Sequence, residues 1–201
     1  MTMWTIPGLS ETNTEARLLN AALRCFARYG YARASMTDIA EEAGLSRTIL
    51  YKHYKSREDA FRALSIRVNQ GVRRAVVEAA KTEGDYVIRL QAVVAARVGW
   101  AFEALQLSAH GRDLIDAKNE ICGAAGASTE AEFSKLLARI IASAGKTKIE
   151  ASVAADIIVR CLPGLIAEEI SEAAAREKVA QFVRIFAAGL VPDARRGAKS
   201  R

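Results

Sequence analysis

Three cysteines, three prolines and two histidines are all that this 201-residue chain holds of those residue types, and each scarcity closes off a class of protein. Cys25, Cys122 and Cys161 are odd in number, far apart and set in apolar helical stretches. Neither a disulfide framework nor a zinc site is indicated, and buried thiols in a reducing cytoplasm are expected. His53 and His110 have no acidic or cysteine partner at ligand spacing, so no metal site is expected. Paired acidic metal motifs, nucleophile signatures and Gly-rich phosphate loops are also missing. The chain therefore does not read as an enzyme, and neither a catalytic residue nor a cofactor is expected. No basic segment followed by an apolar stretch opens it, and no apolar run approaches the ~18 residues of a membrane span. A soluble cytoplasmic protein without a membrane partner is the expectation. The absence of any repeat with a period of about 20 to 50 residues argues against a solenoid.

What the chain does contain is helix-forming material. Hydrophobic residues make up 51% of it, Ala, Leu, Arg and Glu are plentiful, and so few prolines interrupt that long helices are favoured over strands. An all-α protein follows, with a small domain fused to a larger one. The net charge of +6 favours polyanions but does not separate nucleic acid from an acidic membrane. Part of that surplus lies in the tail 192–201, where Arg195, Arg196, Lys199 and Arg201 face only Asp193 and disorder is expected.

Residues 1–12 show no sustained period and read as a flexible arm. In the first helix Leu18, Leu19, Ala22, Leu23, Phe26 and Ala27 form an apolar stripe, and Gly30 stands where a left-handed cap is wanted. Ser35-Met36-Thr37-Asp38 is a capping box for a second helix ending at Gly44. Ser46 caps a third, and Ser56 a fourth that runs from Arg57 to about Lys81, roughly 37 Å at 1.5 Å per residue. That length suits a lever between two regions. A fifth helix covers about 86–108; glycines at 123–126 end a sixth, and Gly145 ends a seventh begun near Thr129. An eighth, about 148–171, carries Pro163-Gly164 as a kink, and a ninth covers about 174–190. Three short helices (13–56) followed by a larger helical bundle (57–191) make about nine helices in all.

Function is carried by residues 36–54, a short helix, a glycine-containing turn and another short helix: a helix-turn-helix. Ala40 lets the helices approach, Gly44 supplies a positive φ, and Ile39, Leu45 and Leu50 fill the wedge. Arg47, Thr48, Tyr51, Lys52 and His53 would then be presented to a major groove. Arginine can donate two bonds to guanine, threonine can contact a base edge or methyl, and tyrosine and lysine can reach phosphates. Arg57, opening the fourth helix, reads as a further phosphate contact.

The runs Leu23–Gly30, Ser35–Ser46 and Ile49–Glu58 together resemble the DNA-binding domain of the tetracycline-repressor (TetR) family over about residues 14–64. The resemblance implies a homodimer whose last two major helices pack into a four-helix interface, and a ligand-responsive C-terminal core. It adds Ile49 and Thr37 to the operator-contacting region. Two positions depart from the family pattern: Ile49 stands where threonine is frequent, and Tyr54 where phenylalanine is usual. For the interface the corresponding apolar residues are Ile158, Leu162 and Leu165 on the eighth helix and Val179, Phe182, Val183 and Phe186 on the ninth, although the latter stripe also reads as ordinary core. For an effector pocket, Arg97, Trp100 and Glu103 follow one another at three-residue steps beside apolar neighbours, and Phe133 and Cys161 join them by analogy.

The function so read is a homodimeric repressor released from a pseudo-palindromic, double-stranded DNA operator by a small-molecule effector. The alternatives are a helical protein-interaction module with a basic surface and, more weakly, a helical-bundle enzyme.

Overall fold

In the computed structural model, which describes residues 13–106, 109–166 and 171–192, Asn13 opens helix α1 (Thr14–Arg33) by accepting the Glu15 amide at 2.8 Å. The helix then buries more than one stripe. Leu18, Leu19, Ala22 and Phe26 are fully enclosed, and so are Ala21 and Asn20 on the adjoining side. Each large apolar side chain removed from water contributes about 1.5–3 kcal/mol. Gly30 interrupts the helix at φ 75°, a conformation open to glycine, and one more turn follows to Arg33.

The capping box expected at Ser35 is present. Its hydroxyl accepts the Asp38 amide at 3.1 Å while the Asp38 carboxylate accepts the Ser35 amide at 2.9 Å, opening α2 (Met36–Glu42). Those bonds hold the Asp38 carboxyl below the ordinary carboxylate range. Gly44 turns the chain at φ 62°, with its amide on the Glu41 carbonyl at 3.0 Å. Ser46 caps α3 (Arg47–His53), and Ser56 opens α4 (Arg57–Ala79) by accepting the Asp59 amide at 3.1 Å. Phe26, Tyr31 and Phe61 form an aromatic cluster where α1 and α4 meet, the Phe26 and Phe61 rings lying edge to face at 5.1 Å.

The remaining helices are α5 (Tyr86–Gln106), α6 (Gly111–Ala142), α7 (Ala151–Ile166) and α8 (Glu172–Leu190). The sixth and seventh helices expected from the sequence are joined as α6. Its irregular residue is Cys122 (φ −119°, ψ 17°), where two helical segments meet at a kink. A glycine inside a helix costs about 1 kcal/mol, not enough to force the break expected at 123–126. Pro163 lies inside α7 as anticipated.

The described residues fall into two compact units, within the bounds Met1–Arg74 with Glu103–Ser128 and Ala75–Phe102 with Thr129–Arg201. The start of α6 belongs to the unit that holds the helix-turn-helix. His110 there closes on α1, so that a Cβ at Gly30 would stand 3.3 Å from its ring. In the second unit, the Tyr86 hydroxyl donates to the Ala187 carbonyl at 3.0 Å and the Lys148 amide to the Leu190 carbonyl at 2.8 Å, tying α5 and the start of α7 to α8. The arm 1–12 and the tail from 193 onward lie outside the described residues. Among the described residues no helix is long and apolar enough to cross a membrane.

Candidate nucleic-acid interface

The third helix is anchored on one side only. Leu50 is fully buried and Ile49 half-buried, while Arg47, Thr48, Tyr51, Lys52 and His53 are exposed. At 100° per residue, Arg47, Thr48, Tyr51 and Lys52 share one outward face. The Arg47 guanidinium lies 6.0 Å from the centre of the Tyr51 ring, a contact that narrows the conformations of both side chains. Thr37 is half-buried in the first turn of α2.

Two arginines of α1 hold this reading head in place. Arg17 Nη2 donates to the Ala43 carbonyl at 2.9 Å, at the C-terminal end of α2 where carbonyls lack partners. Arg24 Nε pairs with Glu42 at 2.6 Å. The signal available in the sequence was only their cationic character opposite a helix end, and the spacing of 26 residues from Arg17 to Ala43 hid it.

Arg57 is used differently from the phosphate contact that its sequence position suggests. Its Nη1 donates to the Ala32 carbonyl at 2.6 Å, and its guanidinium covers the Tyr31 ring at 4.6 Å. The irregular chain between α1 and α2 leaves carbonyls that need donors, and Arg57 supplies one. Tyr54 is core, as expected for a residue standing where phenylalanine is usual, and its buried hydroxyl has no hydrogen-bond partner among the described residues. Burial pushes the Cys25 thiol up to about 12, with Glu42 and Asp38 adding to the shift, so this cysteine is inert packing. Among the described residues no group of three or more His, Cys, Asp or Glu is placed to hold a metal ion.

In the second unit Arg97 and Phe133 come together, the guanidinium carbon 5.9 Å from the ring centre. The side chains of Trp100 and Glu103, the other pocket residues expected on α5, lie outside the described ones. Cys161, expected to be buried and offered as a pocket residue, is exposed; Cys122 alone of the late cysteines is buried.

The interface expectation is corrected in phase. Ile158, Leu162, Val179 and Val183 are buried at 0%, 7%, 1% and 0% exposure within a single chain, so they are core and unavailable to a partner. Leu165, Phe182 and Phe186 are half-buried. The apolar residues that do stand outside are Val153, Ile157 and Cys161 on α7, at four-residue steps, and Ile185 on α8, 75% exposed.

An all-helical chain with a capped three-helix reading head has, in class, the architecture of a helix-turn-helix protein. Residues 18–64 match the family described as bacterial regulatory proteins, tetR family. Curated relatives include the transcriptional activator FasR of Mycolicibacterium smegmatis, 34% identical over 88 residues (44% of this chain, 40% of FasR). Another is the transcriptional repressor AcnR of Corynebacterium glutamicum, 36% identical over 58 residues (29% of this chain, 31% of AcnR). The matched segment thus spans less than half of these relatives. Solved structures cover far more. A tetR-family regulatory protein from Rhodococcus RHA1 aligns over 89% of this chain and 97% of its own, with TM-score 0.64 and 22% identity. A Rhodococcus sp. Rha1 transcriptional regulator aligns over 90% and 100%, with TM-score 0.72 and 17% identity. Residues 18–64 thus match the tetR family's N-terminal domain, and the described helices share the fold of these solved structures.

Proposed function

We propose that the protein is a homodimeric transcriptional repressor that holds a pseudo-palindromic operator through α3 and releases it when a small molecule binds the second unit. The observation that carries this reading is the outward face of α3, where Arg47, Thr48, Tyr51 and Lys52 stand exposed above a fully buried Leu50. An arginine at the start of such a helix has the fork geometry for guanine O6 and N7, and the neighbouring lysine and tyrosine suit phosphates. Selection from random duplex DNA with the purified protein tests it. Enrichment of an inverted repeat whose half-sites lie about 34 Å apart, or a multiple of that, is expected. Absence of any preferred sequence would defeat the reading.

One small helix-turn-helix reads few bases, and two joined heads gain about 10²–10⁴ in avidity. The face that supports joining is the exposed one just described. Ile185→Glu is therefore expected to give a folded monomer by sedimentation, with operator affinity reduced about a hundredfold or more. Ile158→Glu, which buries a charge, should unfold the protein instead. A dimeric Ile185→Glu variant would exclude this face.

Helix α4 begins in the first unit and ends in the second, which supports its use as the lever between ligand and DNA. The ligand must favour the released conformation, since equal affinity for both states moves no population. The relatives' names include both an activator and a repressor.

A further inference from the structure

An arginine stands at a position of α5 that the apolar pattern reserves for the core. Leu90, Val93 and Val94, at seven, four and three residues before Arg97, are all fully buried, and Val98 after it is 3% exposed. Phe133, over whose ring the guanidinium sits, likewise heads a buried stripe continued by Leu137, Ile140 and Ile141. Arg97 is half-buried as a residue, yet burial is the largest influence on its acidity and holds its pKa below the ordinary arginine value; the Glu130 carboxylate opposes that shift. Among the described residues Arg97 makes no hydrogen bond and no ion pair, Glu130 included. A guanidinium stays protonated under such conditions, and it has five donors in a rigid planar fork. The ring attends to one face of that plane. Among the described residues the donor edges have no acceptor, an arrangement whose desolvation cost the cation–π contact offsets only in part.

We infer that Arg97 anchors the carboxylate of the effector, a small monoanion with an apolar body, beside Phe133. The inference rests on the reading above that the second unit takes an effector, and it names that effector's chemical class. A carboxylate supplies two acceptors at the spacing of the guanidinium fork, so one ligand group satisfies the unused donors. A single negative charge fits best. A dianion would meet the field of Glu130, one turn before Phe133 on α6.

The test uses the full chain, with decanoate, 3-phenylpropionate and benzoate as probes and the corresponding alcohols as controls. In the wild type at least one carboxylate should raise Tm and release the selected operator, while its alcohol does neither. Arg97→Met should raise the Tm of the ligand-free protein by about 2–4 °C, because an unpaired desolvated charge is replaced by an apolar chain of similar length. It should also raise the half-effective carboxylate concentration about ten- to a hundredfold. Arg97→Lys, which keeps the charge but loses the fork, should fall between. A lower Tm for ligand-free Arg97→Met would make Arg97 a structural residue and overturn the inference. Equal action of acids and alcohols, or no shift by any carboxylate, would overturn it as well. Failure of the wild type to select an operator without any probe sinks the regulator reading; operator binding that every carboxylate leaves intact sinks only the effector class.

Discussion

Phe26→Ala is expected to destabilise the protein by about 3–5 kcal/mol and to remove operator binding with it. Phe26 is fully buried in α1, and its ring meets Phe61 of α4 edge to face at 5.1 Å and Tyr31 at 5.8 Å. Truncation leaves a cavity at the point where the helix supporting the reading head joins the helix leading out of it. Small domains are stable by only about 5–15 kcal/mol, so the loss takes roughly a fifth or more of the total. The cluster also holds the Arg57 clamp, because the guanidinium lies over Tyr31 while donating to the Ala32 carbonyl. Losing Phe26 should therefore disorder the approach to α2 as well as weaken the core. Urea unfolding followed by circular dichroism measures the first effect, and operator titration at a temperature where the variant is still folded measures the second. A loss below about 1 kcal/mol would show that the ring is not the keystone of this unit.

The reading head was legible in the sequence because its determinants are local. Ser35 with Asp38, Ser46 and Gly44 act on amides within three residues or fix a single φ, and the structure places each as its residue type demands. Leu50 inward with Tyr51 and Lys52 outward follows from helical period alone. The interface residues were not legible for the opposite reason. Periodicity shows that a face is buried but not what covers it, and α7 and α8 each offer two apolar stripes. The more regular stripe, Ile158 with Leu162 and Val179 with Val183, packs within the chain. The sparser one, Val153, Ile157 and Ile185, stands exposed. Arg17, Arg24 and Arg57 have roles that sequence does not show. Sequence marks a cation as solvent-facing or DNA-facing, whereas here each answers a carbonyl or carboxylate distant in the chain.

Arg47→Ala is the sharper test of function, since Arg47 is exposed and its loss should leave stability within about 0.5 kcal/mol. A bidentate contact to guanine is worth about 1–3 kcal/mol, and a dimer on an inverted repeat makes it twice. The expected cost on the selected operator is thus about 2–6 kcal/mol, roughly 30-fold to 10⁴-fold in affinity, with relaxed preference at one symmetry-related position in each half-site. Salt dependence separates this role from its nearest rival. If Arg47 bound phosphate, affinity would fall on all sequences alike and the salt slope would drop by about 1 per half-site; a base contact leaves that slope nearly unchanged. The Tyr51 ring beside the guanidinium gives a second reading of the same geometry. Tyr51→Ala frees the Arg47 side chain and should weaken binding less than Arg47→Ala does, and the double variant should lose less than the sum, because the two share one contact. Strict additivity would mean that Tyr51 and Arg47 act on DNA independently, and undiminished affinity of Arg47→Ala would move the reading face away from the start of α3.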